Sequence, residues 1–277
     1  VNAFRIGSRA LYSFGKDALK GGVGYEKVIS QIHGVTSATT AQMAALKKHS
    51  RFLGKTTAFT ASQAAEGMLE LSKAGLSVEQ VIDASTHVLH LAGATNTEFS
   101  KTVKSVIAAM RQFNLDTDQT RRIVDTFSMA TSSSLLDMTS LTEAMKFGGA
   151  AGKAYGMTLE ETVASLAKFR DIGLEGSLAG TNFRMALAQA SIETGRKRKA
   201  LKRLKLTMDD VNPEMNSFAD IIDVVRKNSI GAEDATILFG RRSGSQMVLL
   251  GQQITSNEKA LALLKQKFSD GVIDEST

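Results

Sequence analysis

The chain has 277 residues, one proline, no cysteine and no tryptophan. That is material for one large domain or two small ones, and it excludes disulfide frameworks, thiolate metal sites and cysteine nucleophiles. The net charge of +6 is uneven: residues 1–60 hold nine Lys and Arg against Asp17 and Glu26, whereas residues 61–277 hold 25 basic and 26 acidic residues. The longest uncharged runs, such as Ser243 to Asn257, are laced with Ser, Gln, Thr and Asn, so no window reads as a membrane span.

In chain order, residues 3–20 and 26–49 read as helical arms around Gly21-Gly22-Val23-Gly24. A turn near Gly54 precedes helices predicted at 61–74, 78–92, 97–113, 117–131, 139–155, 159–172, 177–204, 217–229, 232–239, 244–256 and 258–268. Proline-free stretches favour uninterrupted helical ladders and strand-preferring aromatics are scarce, so no strand is predicted. The expected fold class is all-α: stacked helical hairpins forming a compact helical domain, with an N-terminal helical arm. Val1 stands where an initiator Met would, which predicts an excerpt of a longer chain or a processed product.

The recurring object is a helix corner. In Ala74-Gly75-Leu76-Ser77 with Gln80, the glycine ends one helix and the Ser/Gln pair makes a capping box for the next, while Leu76 and Val81 can close a hydrophobic staple. The same grammar returns at Asn114-Leu115-Asp116 with Gln119 and at Gly156-Met157-Thr158 with Glu161. Lys205-Leu206-Thr207 with Asp210 is a weaker version.

Catalytic signatures are missing. There is no His-Glu-x-x-His, no Gly-x-Ser-x-Gly and no dinucleotide fingerprint, and a phosphate loop ending at Gly152-Lys153 fails at Phe147 and Ala154. Glu79, Asp83, His87 and His90 share one helix face, but no second cluster supplies further ligands, so a solvated face is expected there and no metal or cofactor.

Two patterns point to interaction instead. Arg196, Lys197, Arg198, Lys199, Lys202, Arg203 and Lys205 form a basic block without an acidic residue between them. A plain solvated helix end is the first reading of it; because it lacks interleaved aromatics for base stacking, an acidic protein partner comes next, ahead of DNA. Gly176, Gly180 and Arg184 recur every fourth residue with Ser177, Ala179 and Thr181 alongside, and Ala144, Gly148 and Gly152 make a similar stripe. Each such glycine costs roughly 0.8–1 kcal/mol of helix propensity relative to Ala, so a packing reason is expected: a tight interior crossing, or a docking face for another subunit.

The run Phe52-Leu53-Gly54-Lys55-Thr56-Thr57-Ala58-Phe59-Thr60, followed by Leu71-Ser72-Lys73-Ala74-Gly75-Leu76-Ser77, resembles the core region of phage tail tape measure proteins. So does Glu143-Ala144-Met145-Lys146-Phe147 leading into Tyr155-Gly156-Met157-Thr158. Gly173-Leu174-Glu175-Gly176-Ser177-Leu178-Ala179-Gly180-Thr181-Asn182-Phe183-Arg184 is similar to that family's Gly-x-x-Gly-Ser-x-Ala-Gly-Thr-x-x-Arg signature. The resemblance implies a structural tail component that sets tail length, guides tube assembly and leaves ahead of the DNA. It implies the tail tube protein, a tail assembly chaperone and tail tip proteins as partners, a homo-oligomer, no membrane contact in this segment, and no enzymatic activity. The alternatives are a non-enzymatic helical scaffold that binds acidic protein partners and, behind it, a peptidoglycan hydrolase segment, which Glu143 or Glu175 in helical surroundings does not support. Location in the virion tail, and in the host cytoplasm during assembly, follows. With it the chain divides into a basic arm (1–60), a conserved core (61–206) and a C-terminal extension (207–277). Gly173, Gly176, Ser177, Gly180, Thr181 and Arg184 are the candidate interface or close-packing residues.

Overall fold

Helix ends, more than helix interiors, set the architecture. In a computed structural model that describes residues 24–253, every regular element among the described residues is helical, so the fold is all-α. These residues fall into two compact units that divide between Ile107 and Ala108.

The first unit contains α1 (described from 24 to 36), α2 (Thr40–Thr56), α3 (Ala61–Lys73), α4 (Val78–Ala94) and the start of α5 (Phe99–Phe113). Helices α2, α3 and α4 pack mutually, and their inward faces carry Leu46, Leu53, Met68, Leu71, Val81 and Val88, all buried. The second unit holds the rest of α5, a 3-10 turn (Thr117–Gln119), α6 (Thr120–Ser133), α7 (Met138–Ala154), α8 (Leu159–Asp171), α9 (Gly176–Ser191), α10 (Gly195–Arg203), α11 (Phe218–Lys227), α12 (Ala232–Phe239) and α13 (described from 244 to 253). Its centre is the trio α7, α8 and α9. Phe169 of α8, Phe183 of α9 and Phe218 of α11 meet there with ring centroids 5.2–6.3 Å apart, tilted or edge-on in the manner aromatic quadrupoles favour.

Among the described residues, seven helices end in one way. Gly75, Asn96, Asn114, Gly156, Gly173, Lys205 and Ser229 adopt positive φ. At each, the N–H of the following residue donates to the carbonyl five positions earlier, from Leu76 to Leu71 and Thr97 to Ala92 through to Ile230 and Val225. This Schellman arrangement satisfies the carbonyls that a helix end otherwise leaves orphaned. Capping boxes then start the next helix: Ser77 with Gln80 and Thr158 with Glu161 occur as expected, and Thr39 with Gln42 and Thr60 with Gln63 add two more.

Several expectations need correcting. The helix expected at 26–49 breaks at 37–39, where Ser37 has φ 50° and the Thr39 box restarts the chain. Gly54 is not a turn but lies inside α2, where its missing side chain lets the start of α3 approach; a Cβ there would sit 2.5 Å from the Ala61 nitrogen. Asp116 makes no side-chain cap, and the 3-10 turn leads into α6 instead. Thr207 donates N–H and hydroxyl to Asp210 at 2.7 and 2.8 Å, yet turns rather than a helix follow. The helix expected at 177–204 is two helices, separated at Ile192–Thr194. The arm at 3–20, its glycine turn through Val23 and the helix at 258–268 lie outside the described residues.

Candidate functional site

The glycine signature makes a backbone-to-backbone crossing of α7 and α9. A Cβ on Gly176 would fall 2.3 Å from the Ser140 carbonyl oxygen, and one on Gly180 would fall 2.2 Å from that of Ala144. Gly148 faces the same seam, with its own Cβ position 3.3 Å from the Gly180 Cα, whereas Gly152 serves the neighbouring contact with Thr162 of α8. Gly173 is the positive-φ corner before α9 and is exposed; Ser177 and Thr181 are half-buried, and Arg184 is exposed. Of the six signature residues, then, Gly176 and Gly180 lie within the crossing.

The basic block is less uniform than its sequence. Lys197 is not part of the surface patch: it is 3% exposed, and its Nζ donates to the carbonyls of Ile192, at 2.8 Å, and Gln189. At the break between α9 and α10 the Gln189 carbonyl accepts from the Ile192 N–H, and the lysine turns inward to bond both carbonyls at this helix end. Arg198 pairs with Glu193 at 2.8 Å, and Arg203 pairs with Asp234 of α12. Arg196, Lys199, Lys202 and Lys205 are exposed and form no ion pair among the described residues.

Burial lowers the pKa of Lys197 to about 8. Because the folded value lies below the ordinary 10.5, the unfolded chain binds the extra proton between those pH values, and stability from this residue rises with pH across that window. Lys197→Ala is expected to cost about 1–3 kcal/mol, through lost packing and the loss of its bonds to the Ile192 and Gln189 carbonyls. It should also flatten the slope of stability between pH 8 and 10.5, which urea melts of both proteins will read.

A second basic surface lies on α2. Lys47 pairs with Glu26 at 3.0 Å, and the Arg51 guanidinium lies 5.8 Å from the Tyr25 ring centroid. Tyr25 in turn bonds Ser50 through its hydroxyl at 2.8 Å, which fixes α1 against α2. On the inner side His49 Nε2 lies 3.1 Å from the Ser85 hydroxyl of α4, and burial lowers its pKa. Lys48, Arg51, Phe52 and Lys55 are left on the outside, Phe52 with 56% of its surface exposed.

Residues 47–240, which take in both the α2 surface and the α7–α9 crossing, match the family described as phage-related minor tail protein. The chain belongs to this family. Among curated relatives, the tape measure protein of Pneumococcus phage Dp-1 is 28% identical over 246 residues, covering 87% of this chain and 21% of the relative. The probable tape measure protein of Escherichia phage P2 is 28% identical over 240 residues, covering 84% of this chain and 29% of the relative. The chain thus spans less than a third of either relative. No solved structure gives a significant match.

Within this minor tail protein unit, sequence reasoning passed over an ion pair with a buried carboxylate. Glu160 of α8 is 6% exposed, and both its carboxylate oxygens accept from Arg122 of α6, at 2.5 and 2.8 Å. The partners lie 38 residues apart, and the only available signal was an acidic residue on an otherwise apolar helix face. Glu79 is engaged by Gln42 and Ser77, and among the described residues no group of three or more His, Asp or Glu could hold a metal ion. Among the described residues, no helix is long and apolar enough to cross a membrane.

Proposed function

We propose that the chain is a non-enzymatic structural segment of a tape measure protein, acting in the virion tail and present in the host cytoplasm while tails assemble. The observation that carries this is the match of residues 47–240 to the minor tail family, joined by two tape measure relatives that each align over more than four-fifths of the chain. In this reading the parent protein sets tail length, guides tube assembly and is released during ejection. The tail tube protein, a tail assembly chaperone and tail tip proteins are its partners, and the parent assembles as a homo-oligomer. The division into a basic arm (1–60), a core (61–206) and an extension (207–277) is kept as a proposal of roles: contact, scaffold, and support of the scaffold.

The segment itself is a scaffold and not the ruler. Its longest complete helices have 17 residues, about 25 Å each at 1.5 Å per residue, and a corner follows each. The exposed cations of α2 and α10 supply contact with acidic protein surfaces, an attraction that salt weakens. The test is an in-frame deletion of residues 24–107 in the phage that carries the gene, with tail length read by electron microscopy. Absent tails, or tails of normal length with impaired ejection, are expected. Tails shortened in proportion to the deletion would show that this segment measures length.

A further inference from the structure

The outer face of α2 has features that a merely solvated helix does not need. Ala44, Lys48, Arg51 and Lys55 recur at intervals of four, three and four residues, the spacing of one stripe along a helix, and Phe52 flanks it. Among the described residues these, with Lys47, line a shallow open groove of about 480 Å³ along the face of α2 alone. Phe52 lies 56% exposed within it, with the His49 ring 6.4 Å away. The opposite face of α2 is already spent, since Leu46, Ser50 and Leu53 are buried and His49 reaches Ser85. The groove therefore belongs to a helix whose position and rotation are fixed from behind.

Charge decides what fits. Lys47 is paired with Glu26 and Arg51 is held near Tyr25, whereas Lys48 and Lys55 have no acidic partner among the described residues. A second copy of α2 laid along the stripe would set cations against cations in either direction, which like-charge repulsion disfavours. A nucleic acid would use the cations but leave Phe52 and Ala44 without apolar company. A helix with the same spacing, carrying Glu or Asp opposite Lys48 and Lys55 and an apolar side chain opposite Phe52, satisfies both parts.

We infer that the α2 face is a docking groove for an acidic amphipathic helix of a partner protein, with Phe52 as its apolar anchor and Lys48 and Lys55 as its charge selectors. This deepens the proposed contact between the basic arm and an acidic partner, and it rests on that reading.

The test uses the full 277-residue chain and fluorescent synthetic peptides: a helical peptide with Glu and Leu placed along one stripe, and a scrambled peptide of equal composition. A labelled DNA duplex is the third probe, and anisotropy is the readout. Phe52→Ala and Lys48→Glu change exposed side chains, so circular dichroism melts should match the parent. The striped peptide is expected to bind, more tightly than the scrambled one, and each variant should weaken it by about tenfold or more, as loss of an anchor does. The Lys48→Glu effect should shrink with added salt and the Phe52→Ala effect should persist. Equal affinity for the scrambled peptide, or no peptide binding, would overturn the groove. So would tighter binding of the duplex that Phe52→Ala leaves intact, or self-association of the chain that Phe52→Ala abolishes. Failure of the reading that this segment is a scaffold and not the ruler would instead appear as proportionate tail shortening, with peptide binding unchanged.

Discussion

Gly180→Leu is expected to unfold the second unit at ordinary temperatures. A single Cβ at this position already meets the Ala144 carbonyl oxygen at 2.2 Å and its carbon at 3.0 Å, and both are backbone atoms in the middle of α7. A flexible side chain could swing away, but a hydrogen-bonded carbonyl cannot, so relief requires the two helices to separate. Overpacking in a core that can adjust costs about 1–3 kcal/mol, and this site, with Leu166, Phe183 and Gly148 closing the same seam, should exceed that range. At about 2–4 °C per kcal/mol for a unit of this size, even Gly180→Ala should lower the melting temperature by several degrees. Gly34→Ala is the control. It lies in α1 with nothing within 4 Å of its Cβ position, and it should be neutral or stabilise by up to about 1 kcal/mol through helix propensity. Equal melting temperatures for Gly180→Leu and the parent would show that α7 and α9 do not pack in this way.

Removing Arg122 should be nearly as damaging. Arg122→Met leaves the Glu160 carboxylate with 9% of its side chain exposed and no cation, and an uncompensated buried charge costs about 3–5 kcal/mol. The Arg122 side chain is itself 44% exposed, so the lower end of that range is expected. The double variant Arg122→Met with Glu160→Met should recover most of the loss, because it removes the charge along with its partner. Acid provides a second reading. Burial pushes the Glu160 carboxyl up, but the bonds from Arg122 and Thr158, with its own backbone N–H, outweigh this and hold it below the ordinary value of 4.5. The unfolded chain therefore takes up the proton first as pH falls, and the stabilisation present above pH 4.5 is lost as pH drops through the folded value. Urea melts from pH 6 to 3 should show a steeper loss for the parent than for the double variant. Parallel curves would count against the ion pair.

Much of this fold was legible because its instructions are local. Gly75 with Ser77 and Gln80, and Gly156 with Thr158 and Glu161, place a stop and a start within a few residues of each other, and the chain turns there. The signature around Gly176 and Gly180 was legible for a related reason: a helix that tolerates two glycines on one face needs a neighbour close enough to justify them. Where the stop was not a glycine, the sequence was harder to read. Ser37, Lys205 and Ser229 take positive φ against their own preference, and the helix expected across residues 192–194 broke where Lys197 turns back onto the Ile192 carbonyl. Lys197 sits in a run of cations, and nothing in such a run says which member faces the protein. The Arg122–Glu160 pair was invisible for the opposite reason, since its partners are far apart in sequence and ordinary in composition. The outer face of α2 lay between these cases: its charge was plain, but the exposure of Phe52 required the structure.

The seven Schellman corners also bear on how the chain reaches its fold. Each is written in about six consecutive residues, so a helix end can form before any distant segment is present, and most of the helix pairs that pack are neighbours or next-neighbours in sequence. Little loop entropy has to be lost before contacts form, which is the condition for fast folding in helical proteins. A chain emerging from the ribosome could close each hairpin as it appears, and its glycine seam would be sealed once α9 had followed α7 out. Apolar faces that are exposed so briefly give little opportunity for aggregation during folding.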